Sequence, residues 1–207
     1  MSPRSLAEIR RQEIMEHFYA VVSEEGFDGA SLAKVASRMG VNPSLLLHYF
    51  GSRDQIVKEF VGFIIARYEQ VYINILKEVT APEEKLEVLM DRVFARDWGE
   101  LVGDRAFYEC YALSLSHPEI KEQFTTFYAR FRDTLAEELS ELAQKGLLTR
   151  IDPGRAADLI IVILEGKDFY NNIAPDQENF AEVRKHLKSV TYSLLTGKDY
   201  EDNENHL

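Results

Sequence analysis

A single cysteine, Cys110, stands among the 207 residues of this chain. It cannot close a disulfide within the chain and cannot belong to a multi-cysteine metal site. A buried structural thiol is expected, with a redox sensor as the alternative. No apolar run is long enough to span a bilayer, and no charged-then-apolar leader opens the chain. A cytoplasmic, unprocessed protein with no membrane partner is therefore expected. Positive charge is also scarce: 24 Lys and Arg face 35 Asp and Glu, a formal net charge of −11. Such a balance excludes a protein that coats nucleic acid non-specifically. The common catalytic signatures are missing as well. There is no Gly-x-Ser-x-Gly elbow, no phosphate-cradling glycine loop and no His-Glu-x-x-His helix, and the five histidines are scattered. Ser116 beside His117 has no visible third member. Glu83 with Glu84, and Glu137 with Glu138, read as solvated helix charges. Neither an enzyme nor a bound cofactor or metal is expected.

What is present is a chain of ordinary globular composition, 45% hydrophobic and 29% charged. Its most informative stretch is Ser31 to Arg53, SLAKVASRMGVNPSLLLHYFGSR. Ser31 is placed to cap a two-turn helix in which Leu32, Val35, Ala36 and Met39 recur at i, i+3, i+4 and i+7. Gly40 stands where the helix end needs a left-handed residue. Asn42 suits the cap of the next helix, and Pro43 its first turn, where a missing N–H costs nothing. This second helix, Pro43 to Phe50, turns Leu46, Tyr49 and Phe50 inward and Pro43, Ser44, Leu47 and His48 outward. Two turns do not hold in water unaided, so the neighbours must brace them. Upstream, Ser5 and Glu8 make a capping box for a helix carrying Ile14, Phe18 and Val22, which Gly26 stops. Downstream, Ser52 caps a long helix bearing Ile56, Phe60, Ile64, Tyr68, Val71 and Ile75. The pattern is a helix-turn-helix, which offers its second helix to the DNA major groove.

The same residues resemble the N-terminal domain of the TetR family of transcriptional regulators. The resemblance rests on Gly40 before the turn, the polar pair Asn42 and Ser44, the His48-Tyr49-Phe50 end of the second helix, and the Gly51-Ser52-Arg53-Asp54 step into the next. It covers roughly residues 5 to 65. Two departures stand out: Leu45 and Leu47 replace residues with hydroxyl or phenol groups, and His48 precedes Tyr49 where many members have the reverse order. Contact with thymine methyl groups would replace the missing hydrogen bonds. The resemblance implies that Arg53 lies on the DNA backbone. With it we expect Ser31, Lys34 and Tyr49 on phosphates, and Asn42 and Ser44 reading or framing bases, beside the outward Pro43, Leu47 and His48.

Charge is distributed to suit that reading. Residues 1 to 60 hold seven Lys and Arg against eight Asp and Glu, so nearly all the negative charge lies beyond them. A near-neutral head and an acidic body favour end-on docking through the head. Arg4, Arg10, Arg11, Lys34, Arg38 and Arg53 are the cations available to phosphates, with plain solvated charge as the alternative for each.

The fold class expected is all-α: a three-helix DNA-binding domain over residues 1–52, a helical effector-binding and dimerisation domain over 53–197, and an acidic, disordered tail over 198–207. In the body, Leu86, Leu89, Met90, Val93 and Phe94 share one helix face. Helices are also expected over 105–115 and 119–145, from Pro153, and over about 179–196. The resemblance implies a homodimer built on the last two helices, here Ile160, Ile161 and Leu164 with Val183, Leu187, Val190 and Leu194. Core packing is the alternative. Twofold symmetry would match a pseudo-palindromic operator with half-sites about one helical turn apart or slightly more. The resemblance also implies a cavity whose small-molecule effector moves the long helix after Ser52. Tyr68, Tyr72, Phe94, Trp98, Tyr108, Tyr111, Phe127, Phe131 and Asp168 are the candidate lining, with core packing the alternative for the aromatics. Lys167, Asp168 and Glu109 interrupt apolar surroundings, and either a ligand or an internal ion pair would explain them. The resulting expectation is a ligand-responsive, operator-binding regulator, a repressor by preference. The alternatives are an interaction protein that keeps the head without operator binding, or a helical-bundle enzyme.

Overall fold

The computed structural model describes residues 5–77, 82–95, 104–173 and 177–199, and every regular element among them is an α-helix. In chain order these are α1 (Leu6–Gly29), α2 (Leu32–Met39), α3 (Pro43–Phe50), α4 (Arg53–Lys77), α5 (Pro82–Val93), α6 (Asp104–Ser114), α7 (Pro118–Gln144), α8 (Pro153–Ile173) and α9 (Gln177–Thr196). They divide between two compact units, residues 1–70 with 102–127 and residues 71–101 with 128–207.

The first unit starts with the capping box read from the sequence. Ser5 Oγ accepts from the Glu8 N–H at 3.2 Å, and the Glu8 carboxylate accepts from the Ser5 N–H at 2.7 Å. Gly26, however, breaks α1 rather than ending it. Its φ of 77° interrupts the ladder, and helical turns resume as far as Gly29. The break exposes an N–H on one side and a carbonyl on the other, and α6 supplies partners for both. The Phe27 N–H donates to the Glu109 carboxylate, and Arg105 donates to the Glu24 carbonyl at 2.9 Å. An anion thus meets the N–H side and a cation the carbonyl side, as the local peptide dipoles require. A Cβ at position 26 would lie 2.5 Å from Glu109 Oε1, so the close approach as well as the φ requires glycine. Glu109 is therefore a structural partner of the α1 break.

Local chemistry sets the next two helices. Ser31 caps α2 through a bond from the Lys34 N–H at 3.2 Å, and Gly40 closes it at φ 68° with the Val41 N–H returning to the Ala36 carbonyl at 2.9 Å. Asn42 Oδ1 caps α3 at the Ser44 N–H, 2.9 Å away. α2 and α3 both pack on α1, with Val35, Ala36, Leu46 and Phe50 buried on their side and Ile14, Phe18 and Val22 buried on that of α1. The centre is aromatic. Phe60 of α4 is fully buried, 4.9 Å from the Phe18 ring and 5.6 Å from that of Phe27, both edge-on. Because α6 packs on α1, the compact unit extends past residue 52, where the sequence suggests a division.

In the second unit the expected stripe of α5, Leu86, Leu89, Met90, Val93 and Phe94, is buried throughout. It shares the interior with Leu135, Leu139 and Leu142 of α7, Ile160 and Leu164 of α8, and Leu195 of α9. Ion pairs tie the helices at the edges: Lys85 with Glu138, Lys188 with Asp91, and Arg132 with Asp158 at 2.5 Å. Lys167 is buried in α8 and pairs with Asp168 at 2.7 Å, which neutralises an ammonium that would otherwise be expensive to bury. Cys110, in the first unit, is fully buried. Desolvation pushes its thiol pKa up and the Glu109 charge adds to the shift, so the thiol stays protonated, as a structural cysteine does.

Candidate DNA interface

α3 sorts its side chains as the sequence suggests. Leu46 and Phe50 are buried, whereas Pro43, Ser44, Leu47 and His48 are exposed. Tyr49 is half-buried, with the His48 ring 5.4 Å away and edge-on. The helix is held at its C-terminal end by Arg11 of α1, which donates to the Tyr49 carbonyl, pairs with Glu59 of α4 and lies 4.4 Å over the Phe50 ring. One guanidinium thereby joins α1, α3 and α4. The sequence makes Arg11 a candidate for phosphate, but the structure gives it this internal work, because a planar five-donor group reaches three neighbours at once.

The other head cations are similarly engaged. Arg10 pairs with Glu13 at 2.6 Å, Lys34 with Glu25, and Arg38 with Glu24 through two bonds of 2.7 Å. Those two hydrogen bonds hold the Glu24 carboxyl below the usual carboxylate range. Arg53 differs: it is exposed at the first turn of α4 and has no carboxylate partner among the described residues. Arg4 lies outside the described residues. Exposed pairs such as Lys34–Glu25 contribute about 0–1 kcal/mol, so a phosphate can displace the carboxylate. Arg53 needs no such exchange. Ser31 is exposed at its cap, with its hydroxyl proton still to donate. A cleft of about 460 Å³ opens next to Arg53, floored by Val57, Leu113 and Ile120.

The sequence of α2 and α3 and the N-terminal half of the first unit match the family described as "Bacterial regulatory proteins, tetR family" over residues 15–60. Residues 81–196 match "Tetracyclin repressor-like, C-terminal domain". The chain belongs to the TetR family. It is a ligand-responsive, DNA-binding transcriptional regulator. A similar curated protein is the HTH-type transcriptional regulator BetI of Yersinia pestis (strain Pestoides F), 25% identical over 154 residues, which cover 70% of this chain and 78% of that one. The fold is shared with a TetR transcription regulator from Haloarcula marismortui, with TM-score 0.77, 18% identity, and 90% and 98% of the two chains covered. It is also shared with a regulator from Saccharomonospora viridis solved in complex with choline, with TM-score 0.73, 17% identity, and 86% and 93% covered.

The residues expected at an effector site are distributed as follows in this TetR-family chain. Tyr68 stacks on Phe107 at 4.1 Å and meets Phe127 edge-on at 6.2 Å, so these belong to the core of the first unit. Phe94 and Phe131 are buried in the second unit. Tyr108 is half-buried and Tyr111 is 48% exposed. The side chain of Tyr72, and all of Trp98, lie outside the described residues. Asp168 is the partner of Lys167.

Two of the expected dimer residues need a correction. Ile160 and Leu164 are buried inside the subunit, at 1% and 0% exposure, because α8 turns them, together with Ala156, Ala157 and Lys167, towards its own core. The face left open is Val162, Phe169, Tyr170 and Ile173, each more than half exposed. On α9, Val190 and Leu194 are exposed, whereas Ile161 of α8 and Val183 and Leu187 of α9 are half-buried.

Proposed function

We propose that this protein is a homodimeric repressor that places its two α3 helices in successive major grooves of a pseudo-palindromic operator. The observation that carries the reading is α3 itself: a two-turn helix anchored by Leu46, Phe50 and the Arg11 joint, with Ser44, Leu47 and His48 facing solvent. Beside it stands Arg53, without a carboxylate partner among the described residues. Asn42 and Ser44 frame the bases at the start of the helix. Ser31, Lys34, Tyr49 and Arg53 take phosphates, with Lys34 exchanging Glu25 for one. Functionally, residues 1–52 read DNA and 53–197 bind the effector and the second subunit.

Support for the dimer comes from α8. Val162, Gly166, Phe169, Tyr170 and Ile173 fall on one helical stripe, and beside Gly166 no atom lies within 4 Å of the place a Cβ would take. Four large apolar side chains in one stripe form a patch of the kind that marks a protein contact. A glycine at its middle lets a second helix approach closely.

The experiment is selection from a random duplex library, followed by salt titration of wild type and Arg53→Ala on the selected duplex. Wild type should recover a pseudo-palindrome. The variant should lose affinity equally on all sequences, and the slope of log affinity against log salt should flatten by about 0.9 for each phosphate that is no longer neutralised. A changed sequence preference with an unchanged slope would count against the assignment of Arg53 to the backbone.

Effector binding is proposed in the body, with release of the operator because the ligand favours the non-DNA conformation. The choline bound by one structural relative makes a quaternary ammonium the first class to try. At about a hundred times its Kd, choline should raise stability by roughly 2.7 kcal/mol and weaken operator binding. Unchanged melting and unchanged operator affinity at millimolar choline would remove it as the effector.

A further inference from the structure

We propose that Leu47 determines operator specificity by covering the 5-methyl group of one thymine in each half-site. The inference rests on the operator-binding reading and deepens it. Between Pro43 and Phe50 the side chains are Ser, Leu, Leu, Leu, His, Tyr and Phe, after the initial proline. None is Arg, Lys, Asn or Gln. The bidentate contacts that most often read guanine and adenine are therefore unavailable from within this helix. Asn42, just before it, has its Oδ1 committed to the Ser44 N–H.

Besides the Pro43 ring at its first position, the outward face offers one small hydroxyl, one imidazole and one large apolar group. That group is Leu47, 41% exposed on a helix whose Leu46 and Phe50 are buried and whose Leu45 is half-buried. That exposed two-fifths of Leu47 lies on the face the helix turns to solvent, where a base edge can cover it. Among the features a base pair shows in the major groove, only the thymine methyl is complementary to it. Burying a methyl against leucine removes both from water, and it discriminates T from C without any hydrogen bond. Leu45, partly covered by its own subunit, is the weaker candidate.

Removing one atom group from the DNA tests this directly. In the duplex selected by the full-length protein, each thymine is replaced by deoxyuridine, one symmetric pair of positions at a time. This deletes the methyl and leaves the pairing intact. At one pair of positions the affinity of wild type should fall about fourfold per methyl, the equivalent of one buried methylene-sized group, and about fifteenfold for the two half-sites together. With Leu47→Ala the thymine and deoxyuridine duplexes should bind alike, both near the wild-type affinity for the deoxyuridine duplex. Alanine at an exposed helical position keeps the helix, and an unchanged melting temperature checks this. A wild-type protein indifferent to every thymine-to-deoxyuridine exchange would overturn the proposal, as would a preference that persists in Leu47→Ala. Both leave the regulator reading standing. Failure to recover any duplex would overturn both readings together.

Discussion

Phe60→Ala should unfold the DNA-binding head under conditions in which the wild-type protein is folded, and operator binding should disappear with it. Phe60 is fully buried and its ring meets those of Phe18, Phe27 and Phe63 at 4.9, 5.6 and 6.1 Å. Two of those rings come from α1, on either side of its break at Gly26. Truncation removes the transfer free energy of a phenyl group and leaves a cavity that three aromatic rings cannot collapse to fill. Such changes cost about 3–5 kcal/mol, against a total stability of roughly 5–15 kcal/mol for an ordinary domain. A fall in Tm on the order of 10 °C should follow, read by circular dichroism. Phe60→Leu, which keeps most of the volume, should lose far less and retain binding. A melting temperature within about two or three degrees of wild type for Phe60→Ala would show that the ring cluster is not the centre of this unit.

The second large effect concerns assembly. The double variant Val162→Asp, Phe169→Glu should sediment as a folded monomer and bind the operator at least about a thousandfold more weakly. Both residues are exposed in the subunit, at 69% and 58%, so their replacement leaves the core of the second unit intact and melting of the isolated chain nearly unchanged. In a dimer they would be covered, and two desolvated carboxylates facing the same pair from the partner would repel. The loss of DNA binding follows from the size of α3: one two-turn helix reaches too few bases, and affinity comparable to non-specific binding is what a single head retains. Leu164→Asp is the informative contrast. It places a charge in the subunit core and should unfold the chain rather than dissociate it. A double variant that still sediments as a dimer would move the interface off this face of α8.

The helix-turn-helix was legible in the sequence because its determinants are short-range. A cap, a left-handed glycine and an apolar spacing act over a turn or so of helix, and Ser31, Gly40, Asn42 and Pro43 each take the position their chemistry implies. The stripe of α5 was legible for the same reason. α8 was not, since Leu159 to Leu164 is apolar without interruption and its periodicity selects no face. Packing chose Ile160 and Leu164 for the interior and left Val162 outside.

The cations of the head show the same division. Sequence identifies which residues carry charge, and it made Arg11, Lys34, Arg38 and Arg53 all candidates for phosphate. The carboxylates that engage the first three lie 48, 9 and 14 residues away along the chain, at Glu59, Glu25 and Glu24. Only the folded arrangement leaves Arg53, of these four, without a carboxylate partner among the described residues. Gly26 is a comparable case. Glycine signals that the helix ladder is interrupted there, but a carboxylate 82 residues beyond Phe27 decides that the chain resumes its helical turns. By itself, then, the sequence determined the elements, their caps and the family, because those depend on neighbours along the chain. The tertiary structure decided which faces are buried and which charges are engaged, because both are set by groups that meet only after the helices have packed.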